Sequence, residues 1–203
     1  MKKNIEKVKV ILLGEAGVGK TNLINVSIGL PFNEDETPTY SSSFVDKVFE
    51  INNKKYKLQL WDTIGQEKFR HLTKLFFKDS KIVILVYDKS SKNTFDKVSF
   101  WYKEVNEILG DEPLLAIVAN KSDLEEKQED VDESVAREYA NKINAKFRLV
   151  SAKSNKKGFE SFLRELLIDY IKNNGGKVDE NDDRIKLNNS KNKKKKKKPF
   201  IRC

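Results

Sequence analysis

The stretch "VKVILLGEAGVGKT" (residues 8–21) decides the fold. An apolar run of strand length, 8–13, passes into a glycine-bearing loop, and the loop runs straight into helix-forming residues. Gly14 to Thr21 fit the pattern G-x-x-x-x-G-K-[ST] in the strand–loop–helix setting that gives it physical meaning. The backbone amides of such a loop, with the N-terminus of the following helix, form a positive concavity for phosphates. Glu15, Ala16, Gly17, Val18, Gly19, Lys20, Thr21 and Asn22 would surround it. Lys20 would reach the β and γ oxygens, and the Thr21 hydroxyl would be available to Mg²⁺. The competing reading is a glycine-rich turn with no ligand, and the flanking strand and helix weigh against it. The motif indicates a nucleoside triphosphate site and says nothing of the base.

Further apolar runs of strand length follow at 57–61, 82–87, 114–119 and 147–150. Most are continuous rather than alternating, as parallel strands covered on both faces require. Residues 44–51, "FVDKVFEI", alternate instead, and with "NNKK" and the next run they read as a hairpin with one antiparallel strand at a sheet edge. Helix-length segments lie at 20–29, 67–78, 94–109, 132–144 and 158–172. This order predicts an α/β fold, a three-layer sandwich around a six-stranded, mostly parallel sheet with one antiparallel edge strand. One nucleotide-binding domain over 1–174 is expected, followed by a tail over 175–203. Beyond "NNGG" (173–176) the chain is polar, charged and low in aromatics, a composition that reads as disordered.

A chain of 203 residues suits one well-buried domain. Its net charge of +9 is unevenly spread. Residues 177–203 hold eleven Lys/Arg against four Asp/Glu, which leaves only +2 for the first 176 residues. A nearly neutral body argues against a nucleic-acid-binding face, which needs basic residues clustered on the fold. The sole cysteine, Cys203, excludes an internal disulfide framework and a cysteine-based zinc site, and fits a reducing compartment. "MKKNIEKVKVILL" starts basic and turns apolar, but Lys9 interrupts it and no small-residue cleavage site follows, so it reads as a strand rather than a signal peptide. No apolar run approaches the ~18 residues of a membrane span.

"NKSD" (120–123) closes the apolar run 114–119, at the carboxyl end where ligands sit in such sheets. The Asp123 carboxylate can accept from both N1–H and the 2-amino group of guanine. Adenine offers neither donor, and the desolvated, unpaired carboxylate would then cost on the order of several kcal/mol. Asn120 can reach N7, and the Lys121 stem can lie along the purine face. After the last strand, "SAK" (Ser151, Ala152, Lys153) places the Ala152 amide where it can donate to guanine O6. A polar turn opening a helix is the alternative for "NKSD" alone, and the paired "SAK" weighs against it.

"GEAGVGKT", "WDTIGQE" (61–67), "NKSD" and "SAK" stand in the order and spacing of the Ras-superfamily small GTPases, which the chain resembles over about residues 7–172. Within that superfamily "KLQLWDTIGQEKFRHLT" and "ILVYDKSSKNTFDKV" resemble the Rab branch most. No room exists between Asp123 and Ser151 for the extra helix of the Rho branch, and "MKKN" lacks the Arf features of a second-position glycine and an amphipathic extension. The resemblance implies a GTP-binding domain that cycles between GTP- and GDP-bound states. Thr39 would bind Mg²⁺ through its hydroxyl, and Phe32 would close over the guanine edge. Asp62 would hold Mg²⁺ through water, Gly65 would contact the γ-phosphate, and Gln66 would orient the attacking water. Loss of the γ-phosphate would release both switch loops together. Where Rabs commonly carry Ile-Gly after this threonine, the chain has Tyr40-Ser41, a departure that bears on effector identity.

Ile64 stands where most of the family has alanine. Two readings follow. In one, the chain is a Mg²⁺-dependent, intrinsically slow GTPase that regulates vesicle traffic and awaits an activating protein, since no cis Arg is assignable to the transition state. In the other, Ile64 displaces Gly65 and Gln66, and the chain is a GTP-dependent binding module without timely turnover. Exchange factor, activating protein and effectors would meet the switch regions. "KNKKKKKKPFIRC" sets seven lysines before Cys203. The basic run and a prenyl lipid (geranylgeranyl) on Cys203 would hold the protein peripherally on the cytosolic face of a membrane, although the tail is not a C-a-a-X box. S-palmitoylation, a bare electrostatic tail, or a nuclear-import or nucleic-acid tract are the competing uses of this segment. His71 reads as a surface or effector-facing residue rather than a catalyst, and Trp101 with Phe100 and Tyr102 as core and helix packing.

Overall fold

The computed structural model describes residues 5–39, 42–63, 76–124 and 131–178. Tyr40, Ser41, Ile64, Gly65, Gln66, His71 and Cys203 lie outside the described residues, as does most of the helix expected over 67–78, whose last described positions, Phe76 to Lys78, form a turn.

Among the described residues eleven elements follow in chain order. They are β1 (Glu6–Leu13), α1 (Lys20–Ser27), β2 (Ser43–Ile51), β3 (Lys54–Asp62), β4 (Ile82–Asp88), α2 (Lys92–Asp96), α3 (Val98–Leu109), β5 (Leu114–Asn120), α4 (Glu133–Lys142), β6 (Lys146–Leu149) and α5 (Lys156–Asn173). The sheet has six strands in the order β2-β3-β1-β4-β5-β6. β1 pairs parallel with β3 and β4, β5 runs parallel to β4 and β6, and only the edge strand β2 is antiparallel. The expected architecture is the observed one.

Side-chain alternation along the continuous apolar strands feeds two cores. Val8, Val10 and Leu12 of β1 pack with α1 and with Phe159, Phe162, Leu163 and Leu166 of α5. Ile11 and Leu13 point to the other face and meet Trp101 and Val105 of α3 and Ala136 and Ala140 of α4. Burial of β1 and β4 on both faces explains why their sequences show no period of two.

Asn52 and Asn53 form the two-residue turn joining β2 to β3, both at positive φ (49° and 59°). This is the conformation a two-residue hairpin needs, and Asn tolerates it better than most L residues. The turn lies at the amino-terminal end of the parallel strands, since Tyr56 faces Glu6 and Trp61 faces Ile11. There Asn52 Nδ2 donates to the Lys177 carbonyl (2.9 Å), and Val178 packs against the α5-side core. The phosphate loop follows the opposite end of β1.

The single helix expected over 94–109 is two, with the break at Lys97. The segments answer to different partners. Thr94 Oγ1 accepts from the Asp88 amide (3.0 Å) and donates to the Ser91 carbonyl (2.8 Å), and the Phe95 ring leans on Tyr87. α3 instead turns Val98, Trp101 and Val105 into the core. α4 begins at an Asp132 cap whose carboxylate accepts from the Ser134 amide (2.7 Å). Among the described residues no helix is long and apolar enough to cross a membrane.

Candidate functional site

Gly14 leaves β1 so close to β4 that a Cβ there would lie 2.1 Å from the Val86 carbonyl oxygen. The loop then wraps the Lys20 side chain. Lys20 Nζ donates to the carbonyls of Gly14 (2.8 Å) and Glu15 (2.9 Å) from a position only 6% exposed. Burial pushes this ammonium down to about 8, against the upward pull of Asp62 and Glu15. A phosphate group brought beside it would favour the charged form.

Next to Lys20, three oxygen-bearing side chains from three segments converge. Asp62 at the end of β3 accepts from Thr21 Oγ1 (2.7 Å) and from Thr39 Oγ1 (3.4 Å), and the two hydroxyls lie 3.0 Å apart. Burial raises the Asp62 carboxyl above its usual range, opposed by the Thr21 hydrogen bond, the Lys20 charge and the Thr39 hydrogen bond. Its Oδ1 is buried and has no hydrogen-bond partner among the described residues. An orphaned carboxylate oxygen beside two hydroxyls is a hard oxygen donor set, and it fits a small divalent cation.

On the other flank, Asn120 at the end of β5 is 2% exposed. Its Nδ2 donates to the Val18 carbonyl (2.9 Å), and its Oδ1 accepts from the Ala152 amide (3.2 Å). Asn120 thus braces the phosphate loop against the loop after β6. Both ends of the amide expected to meet purine N7 are engaged within the protein, and the Ala152 amide expected to face O6 is turned to Asn120. Ser151 Oγ donates to Asp123 Oδ1 and accepts from the amides of Lys153 (3.1 Å) and Ser154 (2.9 Å). The Asp123 carboxylate is thereby held by one oxygen.

These groups surround a cavity of about 430 Å³ that runs from the phosphate loop to the β5 and β6 ends. Ala16, Gly17, Gly19, Lys20, Thr21 and Asn22 line one side, Phe32 and Thr39 another, and Asn120, Lys121, Asp123, Ala152 and Lys153 the third. Glu15, Val18, Asp62 and Ser151 stand behind this lining: Val18 and Ser151 are buried, and Asp62 supports Thr21. Gly65 and Gln66 fall outside the described residues.

Several residues at the site gave no signal in the sequence. Glu34 reaches across the mouth to Lys153 (2.9 Å). Trp101, expected only to pack, also donates from Nε1 to Glu15 Oε1 (3.1 Å), and so ties α3 to the phosphate loop. Phe44 stacks on Trp61 (4.8 Å between centroids), Trp61 meets Phe76 (5.5 Å), and Lys9 Nζ lies 4.6 Å from the Trp61 ring centroid. Phe44 remains 46% exposed, on the sheet beside the loop that carries Thr39. Pairings of this kind depend on the fold and have no local pattern.

Comparison with known proteins agrees with this geometry. A model of the Ras family matches residues 9–171. Over 164 residues the chain is 43% identical to Ras-related protein Rab-21 of Mus musculus, covering 81% of this chain and 71% of the relative. It is 38% identical over 168 residues to Ras-related protein SEC4 of Saccharomyces cerevisiae, covering 82% and 77%. A third relative, Ras-related protein Rab-21 of Dictyostelium discoideum, is 36% identical over 170 residues, covering 84% and 79%. With a phosphate loop, an Asp123 pocket and a sheet order that all agree with the match, the chain belongs to the Ras family and is a small GTPase of its Rab branch.

Proposed function

We propose that the cavity takes guanine nucleotide with Mg²⁺ and that the bound nucleotide sets whether the protein engages effectors in vesicle traffic. The observation that carries this reading is the placement of Asp123, held by Ser151, at one end of the cavity whose other end is the Lys20 loop. A carboxylate fixed by one oxygen leaves the other to accept from N1–H and the 2-amino group of guanine. The Lys121 stem lies along the base, and Phe32 closes its edge.

Lys20 meets the β and γ oxygens, and the loop amides from Glu15 to Asn22 cradle the phosphates. Thr21, Thr39 and Asp62 hold Mg²⁺, with the orphaned Asp62 Oδ1 facing that need. The ion's chemistry is to neutralise charge on the phosphates. Because Thr39 sits on the loop that also carries Phe32 and Glu34, its attachment to the nucleotide orders that loop. Gly65 and Gln66 supply the γ-phosphate contact and the orientation of water. Turnover is slow without an activating protein. Exchange factor, activating protein and effectors meet the switch segments beside the exposed Phe44 ring. The GTP-binding domain spans 1–174, and the tail over 175–203, whose Lys177 and Val178 rest against the body, attaches it to the cytosolic face of a membrane through its lysine run and a lipid on Cys203.

Single-turnover GTP hydrolysis by the parent, Ile64→Ala and Gln66→Leu tests the reading. A parent clearly faster than Gln66→Leu and close to Ile64→Ala supports a timed switch. A parent as slow as Gln66→Leu, with turnover restored by Ile64→Ala, makes Ile64 a brake and the protein a GTP-dependent binding module. A displacement near 1 Å at the water-orienting residue is enough for a loss of about 100-fold. Failure to prefer GDP over ADP would overturn the base assignment itself.

A further inference from the structure

We infer that Asp88 is a positioning residue of the base pocket, acting through Lys121; this deepens the guanine-binding reading and rests on it. Asp88 is the last residue of β4 and stands opposite Asn120 in the β4–β5 register. Its side chain is buried and held from two sides. Oδ1 accepts from the Ser90 amide (2.9 Å) and the Ser90 hydroxyl (2.7 Å), while Oδ2 meets Lys121 Nζ at 2.6 Å. The Lys89 amide donates to the Asn120 carbonyl (2.9 Å), so the ends of β4 and β5 are also tied through backbone.

Lys121 lies between Asn120 and Asp123 on the cavity wall, at φ 65°, a left-handed conformation that side chains with a Cβ disfavour. With its ammonium taken by Asp88, the part of Lys121 left to the cavity is its aliphatic stem, fixed at both ends. An immobilised apolar stem suits the flat face of a purine and offers nothing to phosphate. Without the Asp88 carboxylate the ammonium returns to water, the stem regains its rotamers, and the strained backbone loses a hold. Lys20 is bound to Gly14 and Glu15 instead and stays in place, so the loss falls on the base and spares the phosphates.

Asp88→Asn, nearly isosteric, is the test, read by displacement of fluorescent GDP from the full chain. Release should quicken by about ten-fold, the equivalent of about 1.4 kcal/mol. Pyrophosphate, a probe without a base, should compete with unchanged affinity. In a Lys121→Met background, which keeps the stem and drops the charge, Asp88→Asn should add nothing. An unchanged GDP release rate overturns the inference, as does an equal acceleration in both backgrounds or a parallel loss of pyrophosphate affinity. Should Asp88→Asn not fold, Ser90→Ala loosens the same carboxylate from its other side. It should speed release about three-fold, and no change would overturn the inference equally. If the parent itself retains no GDP, the base reading fails with it; if the parent retains GDP and the variants match it, only the role of Asp88 fails.

Discussion

Gly17 and Gly19 lie two residues apart in the phosphate loop and should respond very differently to one added methyl group. Both have φ in the left-handed range, 78° and 91°. An Ala there costs about 1–2 kcal/mol in the folded state and regains up to about 1 kcal/mol by narrowing the unfolded ensemble. A Cβ on Gly17 would meet nothing within 4 Å, so Gly17→Ala should cost about 1 kcal/mol. A Cβ on Gly19 would lie 2.4 Å from Asn120 Nδ2. Asn120 has no free space to move into, because it is buried and bonded to both Val18 and Ala152. Displacing it strands a buried carbonyl and a buried amide, at about 1–3 kcal/mol each. Gly19→Ala should therefore cost about 3–5 kcal/mol. At about 2–4 °C per kcal/mol for a chain of this size, the melting temperature should fall by about 3 °C in the first variant and by about 10 °C or more in the second. Thermal unfolding followed by circular dichroism, on protein stripped of nucleotide with chelator and phosphatase, measures both. In an Asn120→Ala background the Gly19→Ala penalty should shrink to that of Gly17→Ala. Equal penalties in the parent background, or a Gly19→Ala penalty indifferent to Asn120, would refute the argument that Asn120 is a brace.

Other perturbations separate the remaining contacts. Chelation of Mg²⁺, or Asp62→Asn, should speed GDP release by at least about ten-fold in a stopped-flow displacement assay; Glu34→Ala should speed it by no more than about three-fold, and less at high salt, because the Glu34–Lys153 pair is exposed. Asn53→Val should destabilise by about 1–2 kcal/mol in urea unfolding, since a β-branched residue resists φ 59°. The Ser134 hydrogen bonds hold the Asp132 carboxyl below its usual value of 3.8. The cap is fully present above that value and is lost as pH falls through the lower, folded-state pKa. The protection of the α4 amides, measured as the exchange rate relative to the intrinsic rate at each pH, should therefore fall on acidification in the parent and lose that dependence in Asp132→Ser, whose hydroxyl caps without titrating.

Local chemistry made the fold legible. "GEAGVGKT" is a motif whose loop, strand and helix are contiguous, and "NN" at 52–53 names a turn because few other residues take its backbone angles so readily. Asp123 was legible by its donor requirement and its place after a strand. Asp88 was not, because its partner Lys121 lies 33 positions away and only the β4–β5 register brings them together. Trp101 and Glu15 are separated by 86 positions, and an indole in an apolar helix gives no hint of where its N–H points. The break at Lys97 escaped for a related reason. Helix periodicity runs through 94–109, and the competing bond from the Asp88 amide to Thr94 exists only once β4 is in place.

The tie between Asn52 and the Lys177 carbonyl gives the molecule a mechanical polarity. The last described residues, Lys177 and Val178, lie beside the hairpin, at the end of the sheet away from the phosphate loop, with Val178 packed against the core. Traction on the tail, were it anchored as proposed, would enter through α5 and the β2–β3 corner, and reach the cavity only across the full length of the central strands. The tether proposed for the tail and the nucleotide cavity would thus lie at opposite poles. With the proposed tether at that end, an exchange protein would work at the cavity without contending with it, and load on the tether would not pry the cavity open.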